Sequence, residues 1–231
     1  MSLRDMLSPA VEDYLKAIFV LQNDQEDEKA AVSTSSLAER MDVSAASVTN
    51  MLKRLDSLNL ATYASYKGVR LTEAGMTIAL EIIRHHRLLE TYLREVMGYD
   101  WEQMHAEAEH LEHHISEDFE DRLDQMLGYP THDPHGDPIP GRDGTMVLID
   151  SEPLPECPQN IPLIVRRVTD TEPALLTRLE AHGLLPGASL IVRSPHATND
   201  TIEIEQNGDL NTIPRSLARH AFASTASEQD D

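Results

Sequence analysis

The ten residues from His105 to His114 carry seven side chains that can bind a metal ion, four histidines and three glutamates. No Gly or Pro interrupts this segment. Ala, Glu, Leu and Met are abundant from 101 to 127, so the composition predicts one helix over that range. On a helix, positions four, seven and eight apart share a face. The side chains that this spacing places along one stripe are those of His105, Glu109, Glu112 and His113.

Two imidazoles and two carboxylates in one stripe favour a divalent transition metal. Mn, Fe, Zn, Ni and Co all accept mixed nitrogen and oxygen ligands. The alternative is a solvated acidic helix face, which is the usual state of a Glu-rich helix. Other segments of the chain are needed to distinguish a metal site from a solvated helix face.

A second pair of potential ligands, His86 and Glu90, lies four residues apart in the preceding segment. Thr72 begins that segment, and Gly98 ends it. Its apolar residues occur nearly all round the predicted helix, which indicates burial on two sides. We therefore expect this helix to pack on the N-terminal part of the chain and on a second subunit.

Before these ligands the sequence predicts a DNA-binding unit. Ser8 and Pro9 begin a first helix, Ser33 offers a cap to a short second helix, and Ser44 caps a third helix that runs to Leu58. A short helix, a tight turn and a second helix form a helix-turn-helix. A structural helical pair with no DNA is the alternative.

The third helix exposes short polar side chains near its start and basic ones further along, as reading the major groove requires. A predicted hairpin from Leu60 to Thr72 follows it and would form a wing with two further basic residues. Tyr63 and Tyr66 would either reach phosphates with them or pack within the strands. The candidate DNA-binding residues are Ser44, Ser47, Thr49, Asn50, Lys53, Arg54, Lys67 and Arg70.

The formal net charge of -21 at first argues against nucleic acid. The charge is unevenly distributed, however, because residues 33–72 hold five Lys or Arg against three Asp or Glu. The acid is concentrated in the candidate metal segment and beyond it. A mildly basic island therefore coincides with the predicted helix-turn-helix and wing.

The composition also bounds the cellular setting. No run of eighteen apolar residues and no secretory signal is visible in the sequence, so we expect a cytoplasmic protein with no membrane partner. A single cysteine, Cys157, excludes a disulfide framework and fits a reducing compartment.

From Gly128 to Pro162 the chain is rich in proline, which indicates a tether. Beyond it, four short predicted strands and one helix suggest a small β-barrel. The strands are expected at 163–168, 189–193, 201–205 and 210–214, with the helix at 172–182.

This order of segments resembles the DtxR/MntR family, named after the diphtheria toxin repressor and the manganese transport regulator. The most specific matches are the run from Ala45 to Leu55, the run from Leu71 to Gly75, His86 to Glu90, the set from His105 to His113, and Asp133 to Pro140. The resemblance covers nearly the whole chain. It implies a homodimeric, metal-activated transcriptional repressor that controls metal-homeostasis genes, such as those for metal uptake, through palindromic double-stranded operator DNA.

The resemblance also implies two metal sites. Asp13, Glu109, Glu112 and His113 would form the primary, activating site, and His86, Glu90 and His105 the ancillary site. Glu172 matches a position from which the barrel domain can add an ancillary ligand, although the next expected polar ligand falls on Leu175. Manganese-type members often carry a Glu at the position of Lys16.

Iron-type members of the family carry a Cys where this chain has Glu109 and a Met where it has Asp13. A carboxylate is harder than a thiolate and favours Mn²⁺, so Mn²⁺ is the expected cofactor, with Fe²⁺ second. Zn²⁺, Co²⁺ or Cd²⁺ would bind in vitro, because affinity rises along the first transition row.

The expected fold is mainly α with a small amount of β. It comprises a winged helix-turn-helix (1–74), a helical metal-binding and dimerisation domain (75–141), a Pro-rich linker (142–160), an SH3-like or FeoA-like small β-barrel (161–223) and a flexible tail (224–231).

Three alternatives remain open for the function. One is a winged-helix regulator with a purely structural metal. Another is a di-metal carboxylate enzyme, which would need ligands from more helices than this sequence offers. We expect no enzyme, since the chain shows neither a Ser-His-Asp set nor a Gly-rich phosphate loop. The third is independent binding of a protein or peptide by the barrel.

Overall fold

The computed structural model of this protein describes residues 7–23, 31–169, 172–198 and 200–226. In its N-terminal part the helices follow the hydrophobic spacing of the sequence, and serine residues cap two of them. The contacts between residues divide the chain into two compact units. The first unit consists of residues 1–86, 109–121 and 140–145, and the second of residues 87–108, 122–139 and 146–231. None of the helices in the described ranges combines the length and apolar character that crossing a bilayer requires.

The first unit contains the predicted helix-turn-helix and wing. Ser33 and Ser44 cap their helices by accepting hydrogen bonds from the N–H groups of Ser36 and Ser47. The two strands of the wing pair antiparallel, and Val32 adds a further bridge to Val69. The elements are α1 (Pro9–Asn23), α2 (Thr34–Arg40), α3 (Ala45–Ser57), β1 (Ala61–Ala64) and β2 (Gly68–Leu71).

Helix α1 packs on α2, α3 and β2, and α3 packs on β1. The core between them is aliphatic and wholly buried, with Leu15 and Ile18 from α1 and Leu52 and Leu55 from α3 at its centre. A shift of α1 therefore acts directly on the packing of α3.

Helix α4 (Glu73–Glu95) begins against the wing. The N–H of Gly75 donates to the Thr72 hydroxyl, which in turn donates to the carbonyl of Asn59. A Cβ at Gly75 would lie 1.9 Å from the carbonyl oxygen of Leu60. Only glycine lets the two backbones approach this closely.

Further along, α4 buries polar side chains as well as apolar ones. Three polar side chains of the first unit form a network there. Arg84 and His85 both contact the carboxylate of Glu120, at 2.5 and 3.1 Å. Arg84 also donates to the carbonyl of Pro140. Burial by itself raises the pKa of Glu120, but the hydrogen bonds from His85 and Arg84 outweigh it and lower that pKa from 4.5 to about 2.

The single helix predicted from 101 to 127 is wrong, because the structure has two, α5 (Trp101–Leu111) and α6 (Glu117–Met126). After Leu111 the chain turns, with the N–H of His114 donating to the Leu111 carbonyl. Ser116 then begins α6 by accepting a hydrogen bond from the N–H of Phe119. No glycine or proline marks this break, which is why composition alone missed it.

The C-terminal part of the second unit is a six-stranded antiparallel sheet in the order β3-β8-β4-β5-β6-β7. Alternate residues of β6, Ile202 and Ile204, are buried, as are Leu176 and Leu179 of the helix that follows β4. Two of the strands, β3 and β8, were not predicted. The elements are β3 (Glu152–Pro153), a 3₁₀ turn (Leu154–Glu156), β4 (Pro162–Val168), α7 (Pro173–Ala181), β5 (Ser189–Thr198), β6 (Thr201–Gln206), β7 (Asp209–Pro214), α8 (Arg215–Ala218) and β8 (Ala221–Thr225).

The fold class expected from the sequence is confirmed, with a helical N-terminal part and a small C-terminal β domain. Part of the expected linker forms β3, and β8 continues to Thr225. Residues 227–231 of the expected tail lie outside the described residues.

We predict that Gly75→Ala lowers the free energy of unfolding by about 1–3 kcal/mol, because the added methyl group meets a backbone carbonyl that cannot move aside. Urea unfolding of the metal-free protein measures this. Ala74→Ser adds one atom at the exposed neighbouring position and should change stability by less than about 0.5 kcal/mol. Equal stability of the two variants would contradict the close approach.

A second prediction concerns the pH dependence of stability. Because the pKa of Glu120 is lower in the folded protein than its ordinary 4.5, its ionised form stabilises the fold. This contribution, about 3 kcal/mol, is fully present above pH 4.5 and disappears as the pH falls towards 2.

Glu120→Gln should therefore destabilise the protein strongly at pH 7 and much less at pH 3, as measured by urea unfolding at several pH values. Glu117→Gln, an exposed acid in the same helix, is the matched control and should cost less than about 1 kcal/mol. A stability difference for Glu120→Gln that does not depend on pH would contradict the assignment.

Candidate metal centre and nucleic-acid interface

Helix α1 brings two carboxylates to the candidate metal centre. Pro9 occupies the first turn, and the N–H groups of Val11 and Glu12 donate to the carbonyl of Ser8. Glu12 is buried, whereas Asp13 keeps about a third of its side chain exposed. Both side chains reach His113, with Glu12 2.6 Å from Nδ1 and Asp13 2.9 Å from Nε2.

The turn after α5 supplies the other groups. Glu112 and His113 do not extend the helical stripe predicted for them, since α5 ends at Leu111 and both residues lie in the turn before α6. The Glu112 side chain is fully buried. The backbone carbonyl of Glu112 is held by Nδ1 of His85, at 3.1 Å. From this turn both side chains reach α1, His113 at Glu12 and Asp13, and Glu112 at Lys16.

Asp13, Glu112 and His113 offer one ligand atom each, and these three atoms lie within 4.8 Å of one another. Two carboxylate oxygens and one imidazole nitrogen suit a first-row divalent metal ion. The set fits such an ion on electrostatic grounds as well, because the buried Glu112 carboxylate lies near that of Asp13 and a positive charge between them stabilises both. Three of the four residues expected at the primary site are thus brought together.

His113 carries a proton in the absence of an ion. Burial lowers its pKa, but the hydrogen bonds with Asp13 and Glu12 and the charge of Glu112 outweigh burial and raise the pKa to about 9. A ligating imidazole must be neutral, so an ion that binds here replaces that proton.

The fourth expected ligand, Glu109, contacts a lysine instead. The ammonium of Lys16 lies 2.8 Å from Glu109 and 2.9 Å from Glu112, and 3.1 Å from Nδ1 of His86. Burial lowers the pKa of Lys16, but the charges of Glu112 and Glu109 outweigh burial and raise it. Lys16 therefore carries its positive charge inside the cluster of acids.

Of the residues expected at the ancillary site, His86 contacts Glu112 in the first unit, 2.5 Å away. Glu90 and His105 contact each other in the second unit, at 3.0 Å, and Glu90 also faces the buried His135 at 3.7 Å. Glu172 precedes α7 with its side chain exposed and makes no capping hydrogen bond to that helix.

Sequence reasoning did not assign roles to Glu12, His85 or Glu120. Glu12 lies in the opening turn of a helix, where acids are common and do not by themselves indicate a metal site. A signal was present in the pattern, because Glu12 directly follows the core residue Val11 and lies four residues before Lys16 on α1. His85 and Glu120 carried no comparable signal.

The predicted DNA-binding surface is exposed on α3 and the wing. Ser47, Asn50, Lys53 and Arg54 face solvent on α3, and Lys67 does so in the hairpin. Ser44 is committed to capping α3, and the Thr49 hydroxyl donates to the carbonyl of Ala45. Arg70, on β2, is half-buried. Tyr66 is fully exposed at the tip of the wing, with a positive φ of 65°.

Family models match three consecutive parts of the chain. The iron-dependent repressor N-terminal DNA-binding domain matches residues 6–69, and the iron-dependent repressor metal-binding and dimerisation domain matches residues 72–141. The FeoA domain matches residues 152–224.

Curated relatives agree with these matches. The iron-dependent repressor IdeR of Mycobacterium tuberculosis is 34% identical over 226 residues, which cover 92% of this chain and 95% of that protein. The regulator MntR of Bacillus subtilis is 35% identical over 124 residues, which cover 54% of this chain and 84% of that protein.

Solved structures agree too. A manganese-dependent transcriptional repressor in complex with manganese is 34% identical and has a TM-score of 0.83, covering 94% of this chain and 100% of its own. ScaR with bound Zn²⁺ is 31% identical, with a TM-score of 0.73 and coverage of 94% and 99%. The chain therefore belongs to the family of metal-dependent transcriptional repressors that includes IdeR, the diphtheria toxin repressor and MntR.

Proposed function

We propose that this repressor is switched on by Mn²⁺, with Fe²⁺ as the second choice, bound by Asp13, Glu112 and His113. The protein then acts as a cytoplasmic homodimer on palindromic operator DNA and represses genes of metal homeostasis, such as those for metal uptake. The observation that carries the proposal is the convergence of Asp13 from α1 with two residues of the turn after α5.

The choice of metal rests on the chemistry of the ligands. Asp13 and Glu112 offer hard carboxylate oxygens, and His113 the one imidazole. No thiol takes part, since the single cysteine, Cys157, contacts backbone carbonyls near β3 and β8. Hard ligands favour Mn²⁺ or Fe²⁺, although Zn²⁺ and Co²⁺ should also bind in vitro, because intrinsic affinity rises along the first row. Cd²⁺ should bind in vitro as well, as it does to the relative ScaR.

The coupling to DNA follows from the position of α1. Asp13 lies on a helix whose other faces pack on α2, α3 and β2. Holding Asp13 against the turn at Glu112 and His113 fixes α1, and α1 in turn fixes the helix that enters the major groove. Metal and operator then raise each other's affinity by the same factor, as linkage requires. A dimer would present two such helices to half-sites one or more helical turns apart.

Further roles follow from the resemblance. Glu109 is the fourth candidate ligand of the activating site. Glu90 and His105, 3.0 Å apart, with His86 one helical turn before Glu90, are the candidates for an ancillary ion. The exposed Glu172 is available as a further ligand.

On the DNA side, Ser47 and Asn50 are the candidates for base contacts, because they are exposed near the start of α3. Lys53, Arg54, Lys67 and Arg70 are the candidates for phosphate contacts. Ser44 and Thr49 contribute by shaping the start of α3, and their hydroxyls remain able to accept a further hydrogen bond.

The first prediction from this proposal is that DNA affinity depends on metal. Fluorescence anisotropy with promoter DNA of a metal-uptake gene should show tight binding with Mn²⁺ and weak binding with EDTA, by about 5–150-fold. Anaerobic Fe²⁺ should give an intermediate response. All titrations use one salt concentration, since phosphate contacts make affinity salt-dependent. A scrambled duplex is the control.

If DNA affinity is the same in EDTA, Mn²⁺ and Fe²⁺, the metal has a purely structural role and the proposal is contradicted. An equal response to Mn²⁺ and Fe²⁺ would keep the metal dependence but remove the preference for manganese.

The second prediction concerns Asp13→Ala, which should abolish most of the Mn²⁺-induced gain in DNA affinity while leaving the weak binding in EDTA unchanged. The reason is that Asp13 alone links α1 to the proposed ion. The same anisotropy titration measures both quantities.

Glu107→Ala is the matched control, because Glu107 is an exposed acid in the same His- and Glu-rich segment and belongs to neither proposed site. A wild-type response of the Asp13 variant to Mn²⁺ would overturn the proposed centre.

A further inference from the structure

Lys16 lies at the centre of the acidic cluster, on the same helix as Asp13. We propose that its ammonium is a built-in cation of the metal centre: it occupies the space between Glu109, Glu112 and His86, so that no second divalent ion binds among these three side chains beside the activating ion. This inference rests on the proposed function, because it takes Asp13, Glu112 and His113 as the site of the activating ion.

The contacts of Lys16 are those of a cation at a binding site. Its Nζ lies 2.8 Å from Oε1 of Glu109 and 3.1 and 2.9 Å from the two oxygens of Glu112. Nδ1 of His86 is 3.1 Å away. Two carboxylates and one imidazole thus surround the ammonium, the same donor types that a transition metal ion would use.

The burial of Lys16 shows that these contacts dominate its environment. Its side chain is 17% exposed, and the Glu112 side chain beside it is fully buried. Ordering a lysine costs up to about 2 kcal/mol of side-chain entropy, and removing its charge from water costs more. A lysine stays in such a place only where carboxylates compensate for its charge.

The charges around the centre leave room for one divalent ion. Glu12, Asp13, Glu109 and Glu112 bring four negative charges. Lys16 and one divalent ion together bring three positive charges, which leaves the centre nearly neutral. A second divalent ion would bring the positive charge to five and would have to approach the ammonium directly.

The distances around the Lys16 ammonium also argue against a second ion among these side chains. The Lys16 contacts of 2.8–3.1 Å are hydrogen-bond distances, whereas bonds from carboxylate oxygens to a first-row metal are about 2.0–2.2 Å. Lys16 therefore keeps Glu109, Glu112 and His86 further apart than an ion in the same place would. His86 faces the ammonium and Glu112, so it is separated from the ion at Asp13.

Lys16 also acts before any ion binds. Its contacts join α1 to Glu109 and Glu112, groups 93 and 96 residues away along the chain. Without this cation, the acids of α1 and those of residues 109–112 would repel each other. Lys16 thus keeps the centre assembled in the metal-free protein and competes with the ion for Glu112.

The test compares Lys16→Glu, Lys16→Met and Lys16→Arg with the wild-type chain and with Asp13→Ala. Bound Mn²⁺ is counted per protomer by EPR titration and by elemental analysis of desalted protein. Thermal unfolding is followed in EDTA and in excess Mn²⁺. Arg40→Met is the matched control, since Arg40 is an exposed cation of α2 outside the centre.

Asp13→Ala should lower the number of Mn²⁺ ions bound per protomer by one relative to the wild type and should leave an ancillary ion in place. Lys16→Glu should bind one additional Mn²⁺, with the broadened EPR signal of two neighbouring ions, because it replaces the cation by another ligand. Lys16→Arg keeps the charge and should bind the same number of ions as the wild type.

Lys16→Met should lower the unfolding temperature in EDTA by roughly 3–8 °C, because it leaves the acids without their cation. The stabilisation by Mn²⁺ should be larger in this variant than in the wild type, and Mn²⁺ affinity should rise about tenfold because a competing charge is gone. Arg40→Met should behave as the wild type in every readout.

An unchanged ion count in a folded Lys16→Glu protein would overturn the inference. Should that variant fail to fold, Lys16→Met decides, and an unchanged or smaller stabilisation by Mn²⁺ would overturn it. The two proposals fail separately. If Asp13→Ala does not change the number of bound Mn²⁺ ions, the proposed centre is contradicted. If Asp13→Ala removes one ion but the Lys16 variants behave as the wild type, only the role of Lys16 is contradicted.

Discussion

Repulsion among carboxylates is the constraint on which the first unit depends. Glu12 and Asp13 of α1 and Glu109 and Glu112 of the distant segment converge on one small volume. Two like charges 4 Å apart repel by about 4 kcal/mol at an effective dielectric of 20, a large fraction of the stability of a domain. The convergence persists because positive charge is present as Lys16 and as the proton on His113, and the ion that the family requires adds to it.

This balance of charge is connected to the DNA surface by ordinary packing. The acids of α1 lie on one face of the helix, while Leu15 and Ile18 on the other face belong to the core shared with α3. A change in the charge at the centre therefore acts on a rigid helix, whose movement would have to disturb a close-packed aliphatic core. In the proposed mechanism, metal sensing and DNA binding form one equilibrium because the same fifteen-residue helix takes part in both.

A second layer of polar contacts holds the candidate ligands in place. His85 contacts the backbone carbonyl of Glu112 with one ring nitrogen and the Glu120 carboxylate with the other. Arg84 forms a salt bridge with the same carboxylate. The turn that carries Glu112 and His113 is thereby fixed to α4 without using the ligand side chains themselves. Partners of this kind generally matter for metal affinity almost as much as the ligands do.

The sequence by itself determined the elements of the N-terminal part and the kinds of candidate ligand. Helical spacing, the caps Ser33 and Ser44 and the hairpin pattern are local signals, and they predicted α1 to α4 and the wing, along with the acids and histidines of the metal segment. Tertiary structure decided which ligands meet. It also set the break after Leu111. Residues far apart in the chain are joined where Lys16 lies between Glu109 and Glu112, where Glu12 contacts His113 and where β8 pairs with β4. Such contacts leave no periodic signal, because their free energy comes from charge compensation and burial that exist only once the chain has folded.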